Sequence, residues 1–210
     1  MEFKILGPFE VSNEHGAVAL GGVKPRAVLA VLLLNANEPV SAERLAQALW
    51  GDDVPAGAVK AVQVHVSRLR KALGNGEVVE TTRAGYRLHV RPGELDAELF
   101  EHLVEDGREA LAAGHPEQAA AVLREALTLW RGSPLAELAF EPFAQAEIAR
   151  LDEQRLAAVE ARVEADLAAG REAELIGELQ QLVAVHPTRE RLAGQLMLAL
   201  YRCGRQAEAL

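Results

Sequence analysis

The sequence of 210 residues contains little cysteine, few aromatic residues and no long apolar run. Its single cysteine, Cys203, excludes an intramolecular disulfide and a cysteine-based zinc site, which fits a reducing compartment. The longest apolar run, Ala27 to Leu34, is far shorter than the roughly 20 residues that span a bilayer. The first residues also lack the basic and apolar regions of a signal peptide. These absences predict a cytoplasmic protein without a membrane partner.

Lysine is also scarce, and its distribution divides the chain. The net charge of −9 argues against a nucleic-acid binder, because such proteins rely on attraction to an anionic surface. Residues 1–93, however, hold 11 basic and 9 acidic side chains, whereas residues 94–210 hold 11 basic and 22 acidic ones. All four lysines lie in the first part. The asymmetry predicts two domains, 1–93 and 94–210, with different partners.

The first part is predicted to form short strands, three helices and a β-hairpin. Ser41 is a good helix N-cap, and Trp50-Gly51 ends the helix that follows. The predicted strands are residues 3–6, 9–11 and 17–20, the helices are 25–34, 42–50 and 55–73, and the hairpin strands are 77–81 and 85–90. Three helices followed by a hairpin form a winged helix-turn-helix, with the leading strands as a small sheet beside it.

The third helix has an apolar stripe on one side and cations on the other. The apolar stripe consists of Val59, Val62, Val66, Leu69 and Leu73. The opposite side carries Lys60, Val64, Ser67, Arg68 and Lys71, with Gln63 and Arg70 on one flank and His65 on the other. A guanidinium can bind guanine, an amide can bind adenine, and a valine can pack on a thymine methyl group. Arg83, at the hairpin tip, is placed to enter a minor groove. A solvated charged face is the alternative for the helix alone.

The run KAVQVHVSRLRKAL at residues 60–73, with TTRAGYR at 81–87, resembles the OmpR-type winged-helix domain of bacterial response regulators. The resemblance implies that Gln63, Val64 and Arg68 face bases and that Arg83 enters the minor groove. Ser67 stands where many relatives carry a basic residue. The side chains assigned to the phosphate backbone are Lys60, His65, Ser67, Arg70, Lys71 and Thr81.

The second part is predicted to be all-helical. Asp96 is a candidate N-cap for the first of its helices, which Gly114 ends, and the later helices span 116–130, 142–169, 172–185 and 188–203. Three similar turns contain Gly114, Gly170 and Gly204, and the last two are 34 residues apart, the period of a tetratricopeptide hairpin. A plain helical bundle is the alternative. The acidic half is expected to contact protein or to form a dimer.

The whole chain is similar to the Streptomyces antibiotic regulatory protein family, which joins an OmpR-type winged helix to a bacterial transcriptional activator domain. LGPFEV at residues 6–11, KPRAVL at 24–29, ALWG at 48–51 and LWRG at 129–132 carry the likeness. The family implies binding to short direct repeats in double-stranded DNA near promoters, recruitment of RNA polymerase with its sigma factor, and control of secondary metabolism. Because a helix is cut at Leu210, further domains are expected after it.

No enzyme chemistry is predicted. Gly21-Gly22-Val23-Lys24 lacks the spacing of a phosphate-binding loop, the six histidines lack metal-ligand spacing, and no nucleophile elbow occurs. No catalytic residue, metal or cofactor is therefore expected. The competing hypothesis is an adaptor whose helical repeats bind a protein and whose winged helix does not recognise DNA.

Overall fold

The computed structural model describes residues 1–74 and 78–209. The chain divides into two compact units. The first comprises Met1–Leu99 with Leu129–Asp152, and the second comprises Phe100–Thr128 with the described residues from Glu153 onward. This division assigns 129–152, a stretch that lies inside the predicted second domain, to the first compact unit. The functional boundary after residue 93 stays a prediction.

The first unit begins with a small antiparallel sheet. Its strands are β1 (Glu2–Lys4), β2 (Glu10–Asn13) and β3 (Gly16–Ala17), with β2 in the middle. Phe3 pairs with Val11 and Ser12 with Ala17. The third strand is shorter than predicted, although Val18 still donates its N–H to the Val11 carbonyl at 2.8 Å, and Leu20 is buried in the core.

Three helices follow the sheet: α1 (Val23–Leu33), α2 (Ala42–Trp50) and α3 (Ala58–Ala72). Pro25 is the third residue of α1, within the first turn, where its missing N–H needs no partner. The Ser41 hydroxyl accepts a hydrogen bond from the backbone N–H of Arg44 at 3.1 Å, which confirms the predicted N-cap. Gly51 ends α2 with a φ of 61°, also as predicted.

The hairpin after α3 consists of β4 (Val79–Thr82) and β5 (Gly85–Leu88). The predicted turn at 74–76 and the predicted strand start at Glu77 lie partly outside the described residues. Val40 and Tyr86 exchange two backbone hydrogen bonds of 2.8 Å, so the hairpin is fastened to the segment before α2. A Cβ atom at Gly85 would lie 2.1 Å from the Val40 carbonyl oxygen, which explains the glycine.

The side chain of Asp96 joins two distant parts of the first unit. Asp96 is the first residue of α4 (Asp96–Ala112), and its carboxylate accepts hydrogen bonds from the backbone N–H groups of Ile5 at 2.8 Å and Leu6 at 3.0 Å. Arg131 approaches the same carboxylate at 3.5 Å. Burial raises the pKa of Asp96, and the two amides and Arg131 offset part of the rise. A carboxylate predicted as a helix cap thus holds the chain after β1.

The returning segment 129–152 packs into the same core. The backbone N–H of Leu135 donates to the Ile5 carbonyl at 3.0 Å. A 3-10 turn, Ala136–Leu138, follows, and Leu138 is fully buried. Glu141 binds the ammonium group of Lys24 on α1 at 2.9 Å. Between the predicted helices 116–130 and 142–169 the sequence predicted only a break, because these contacts are to residues more than a hundred positions away.

The described part of the second unit contains only helices as regular structure. These are the later part of α4, α5 (Pro116–Thr128), the later part of α6 (Ala144–Ala168), α7 (Glu172–Val185), α8 (Glu190–Arg202) and α9 (Gln206–Ala209). Leu167, Leu179 and Leu192 lie in its buried core. None of the described helices is long and apolar enough to cross a membrane.

The three turns predicted to be alike have the same backbone geometry. Gly114, Gly170 and Gly204 have φ values of 80°, 76° and 75°. At each turn the residue after the glycine donates its N–H to the carbonyl five residues earlier, at 2.9, 3.0 and 2.9 Å. This bond and the left-handed glycine are the signature of a Schellman helix end. The similar residues at these three turns therefore correspond to a repeated local structure.

Candidate nucleic-acid interface

Helix α3 buries one side and exposes the other. Val62, Val66 and Leu69 are at most 1% exposed and face the core between α1 and α2. The side chains predicted to read bases lie on the exposed side, where Val64 is 45% exposed. The exposed members of the predicted DNA-contact set are Lys60, Gln63, Val64, Ser67, Arg68, Lys71, Thr81 and Arg83. The structure therefore brings most of the predicted side chains to the surface.

The exposed side of α3 forms a continuous stripe without a negative charge. No aspartate or glutamate occurs in the helix, and among the described residues Lys60, Arg68 and Lys71 form no ion pair. Lys60 and Lys71 are eleven positions apart, which spans about 16 Å along the axis. Because these cations have no counter-ion within residues 1–74 and 78–209, their field is directed outward.

His65 is half-buried at the margin of this stripe. Burial lowers its pKa, and the nearby charges of Arg68 and Lys24 lower it further, so the protonated ring is disfavoured. Its Nδ1 atom is buried without a hydrogen-bond partner among the described residues. His65 is thus a poor source of positive charge, whatever hydrogen bond its other nitrogen makes.

Arg70 is half-buried and points to the hairpin. Its Nε donates to the Val79 carbonyl oxygen at 2.8 Å, and its Nη2 donates to the Thr81 hydroxyl at 2.6 Å. The guanidinium carbon lies 6.0 Å from the centre of the Tyr86 ring. Sequence reasoning did not find these contacts, since nothing in the helical pattern distinguishes an arginine that bonds within the protein.

Arg83 lies at the tip of the hairpin. Arg83 and Ala84 form a two-residue turn between Thr82 and Gly85, the last paired residues of the strands. The Thr82 hydroxyl accepts from the N–H of Ala84 at 3.2 Å and donates to the Gly85 carbonyl at 3.2 Å. The side chain of Arg83 is exposed. The turn therefore presents a guanidinium outward on a hydrogen-bonded support.

Lys24 is a partly buried lysine whose contacts the sequence motifs did not reveal. Its ammonium group donates to the Leu49 carbonyl at 2.6 Å and to Glu141 at 2.9 Å, and it lies 5.7 Å from the Trp50 ring centre. These contacts connect α1, the end of α2 and the returning segment. The described residues contain no group of three or more His, Cys, Asp or Glu side chains that could hold a metal ion.

Helix α3 has an exposed basic side, packs on two other helices and is followed by a β-hairpin with an arginine at its tip. This arrangement defines a winged helix-turn-helix protein. Residues 18–88 match the family model "Transcriptional regulatory protein, C terminal", and residues 95–210 match "Bacterial transcriptional activator domain". The chain belongs to the Streptomyces antibiotic regulatory protein family, as the sequence resemblance predicted. The family is one of transcriptional regulators and not of enzymes.

Individual relatives match along the whole chain. Regulatory protein AfsR of Streptomyces coelicolor is 42% identical over 211 residues, which is 100% of this chain and 21% of AfsR. Regulatory protein DnrI of Streptomyces peucetius is 39% identical over 220 residues, covering 100% of this chain and 81% of DnrI. The chain thus spans about a fifth of the length of AfsR but most of DnrI.

The fold also matches a solved structure. Mycobacterium tuberculosis EmbR, in complex with a low affinity phosphopeptide, has a TM-score of 0.94 and 38% sequence identity, covering 99% of this chain and 56% of EmbR. The predicted fold class, a winged helix with a small sheet followed by tetratricopeptide-like helices, is confirmed.

Proposed function

We propose that the protein is a sequence-specific DNA-binding transcription activator. The observation that carries this proposal is the exposed stripe of α3, where cations, one amide and one valine lie together without a carboxylate. A major groove about 12 Å wide admits an α-helix, and the stripe is long enough to follow several base pairs. Family membership supports the same function.

The proposed reading residues are Gln63, Val64 and Arg68. The Arg68 guanidinium suits the two acceptors of guanine, Gln63 suits adenine, and Val64 packs against a thymine methyl group. Arg83 enters the adjacent minor groove, whose negative potential attracts guanidinium. The side chains proposed for the phosphate backbone are Lys60, His65, Ser67 and Lys71, together with Arg70 and Thr81 through the donors that their bonds within the protein do not use. His65 contributes there through a neutral hydrogen bond.

Arg68→Ala tests the reading face. Loss of a bidentate base contact should cost about 1–3 kcal/mol of binding and relax the preference at one base position. Arg108→Ala is the matched control, because it removes the same charge from an exposed position on α4. Affinities are measured for duplexes selected from a random library by the wild-type protein. Equal binding of Arg68→Ala and Arg108→Ala to every duplex would show that the face is wrongly assigned.

The same library separates an activator from an adaptor. Enrichment of a short direct repeat is the result expected for the activator. If the wild-type protein enriches no sequence, the winged helix does not recognise DNA and the helical repeats would serve as a protein-binding adaptor.

We propose further that residues 1–93 contact DNA and that residues 94–210 recruit RNA polymerase and contact its sigma factor. The two family-model matches, at 18–88 and 95–210, support this division of roles. The charge split supports it as well, because an acidic surface repels phosphate. The protein then acts in the cytoplasm at the nucleoid, as a monomer or a homodimer, on genes of secondary metabolism.

Transcription with purified polymerase tests recruitment. The full chain should raise transcript yield from a promoter that carries the selected repeat, whereas an unchanged yield despite DNA binding would contradict the activator role. Analytical ultracentrifugation with and without the duplex decides between monomer and dimer.

A further inference from the structure

The hairpin has a free edge that faces α3. β5 pairs with β4 on one side and with Val40 on the other, which leaves β4 as the outer strand. An outer strand presents backbone carbonyls that no other strand satisfies. The Val79 carbonyl is one of these, and Arg70 donates to it from the last turn of α3. Arg70 therefore connects the helix and the hairpin directly.

The connection depends on the shape of a guanidinium group. Nε and Nη2 are held in one plane, and they reach a backbone carbonyl at 2.8 Å and the Thr81 hydroxyl at 2.6 Å together. The face of Tyr86 on β5 lies 6.0 Å from the same group, within the range of a cation–π contact. One side chain of α3 thus contacts both strands of the hairpin. A lysine at this position would keep the charge but lose the two-pronged geometry.

Among the cations of α3, Arg70 differs from the others in its environment. Lys60, Arg68 and Lys71 are exposed, whereas Arg70 is half-buried and donates two hydrogen bonds to the hairpin. Those two donors and the Thr81 hydroxyl already have partners in the protein without DNA. Their main effect on binding is therefore on the position of the hairpin, which carries Arg83 at its tip.

We propose that Arg70 is a positioning residue for DNA recognition, which fixes the hairpin so that Arg83 and Arg68 meet adjacent grooves at the same time. The proposal rests on the function proposed above. Two contacts on a rigid support bind more tightly than two on a mobile one, because less freedom is lost on binding. Arg70 acts through Arg83, and the two residues should therefore be energetically coupled.

A double-mutant cycle tests the coupling, with a duplex selected by the wild-type chain as the probe. Arg70→Lys should weaken binding about tenfold, close to the effect of Arg83→Ala, and should add little when Arg83 is already alanine. Lys71→Ala is the matched control, a neighbouring cation whose effect should be additive with that of Arg83→Ala. Additive effects of Arg70→Lys and Arg83→Ala would overturn the proposal. So would wild-type affinity of Arg70→Lys, since charge alone would then suffice.

Order in the hairpin is measured independently of DNA. The backbone amide of Arg83 should gain fast motion in Arg70→Lys, seen as a lower NMR order parameter, while the amides of α1 keep theirs. An unchanged order parameter at Arg83 would refute the positioning role even if DNA binding fell. If the wild-type chain selects no duplex, the proposed function fails, but the NMR experiment still decides whether Arg70 orders the hairpin.

Discussion

Removal of the Asp96 carboxylate should strongly destabilise the first unit. The carboxylate accepts from the N–H groups of Ile5 and Leu6, residues that are 1% and 0% exposed. Asp96→Ala leaves both amides buried without an acceptor, at about 1–3 kcal/mol each. The free energy of unfolding should therefore fall by about 4 kcal/mol. With a urea dependence of about 2 kcal/mol per molar, the unfolding midpoint should drop by about 2 M.

Tryptophan fluorescence reports this change selectively. The chain has two tryptophans, Trp50 and Trp130, and both lie in the first unit. Asp106→Ala is the control, because it removes an exposed carboxylate from the same helix, α4, and should change stability by less than about 0.5 kcal/mol. Asp96→Asn keeps one acceptor oxygen and should lose about half as much stability as Asp96→Ala. An equal midpoint for Asp96→Ala and the control would refute the argument from buried amides.

Two further substitutions test other contacts within the first unit. Gly85→Ala should prevent the hairpin from packing against the segment before α2, because the new Cβ would lie 2.1 Å from the Val40 carbonyl oxygen at a φ of 136°. The free energy of unfolding, measured in urea, should fall by more than about 2 kcal/mol. Gly22→Ala is the control and should cost little, because the space around Gly22 is open. Burial alone would raise the pKa of Glu94, but the hydrogen bond from the Met1 ammonium group holds that pKa below its ordinary value. The stability that this interaction contributes is present above the ordinary pKa of the carboxyl group and is lost as the pH falls through the lowered pKa. The free energies of unfolding of wild type and Glu94→Gln should therefore differ at neutral pH and converge in acid.

Local signals in the sequence predicted the regular elements well. The Ser41 cap, the Gly51 helix end and the three glycine turns of the second unit all depend on residues close together in the chain, and the structure confirms them. The buried and exposed sides of α3 were predicted for the same reason, since a helix fixes which positions share a face.

Contacts between distant residues were not predictable in the same way. Asp96 fits an N-cap pattern, yet its carboxylate binds amides ninety positions away. Arg70 sits among cations whose pattern is that of a DNA-binding helix, but its partners come from the hairpin. The stretch around Leu138 reads as a break, although it completes a core. A single sequence, taken without an alignment to its relatives, contains no signal for such pairings.

The return of residues 129–152 to the first unit sets the order in which this protein can fold during synthesis. Leu135, Leu138 and Ala144 are fully buried in the core of the winged helix, so that core stays incomplete until they leave the ribosome. At about 5–20 residues per second, the 51 residues from 93 to 144 take roughly 3–10 s. In this interval α4 and α5 are already made. The core of the winged helix is thus completed only by the returning segment 129–152, which is synthesised after the first two helices of the second part of the chain.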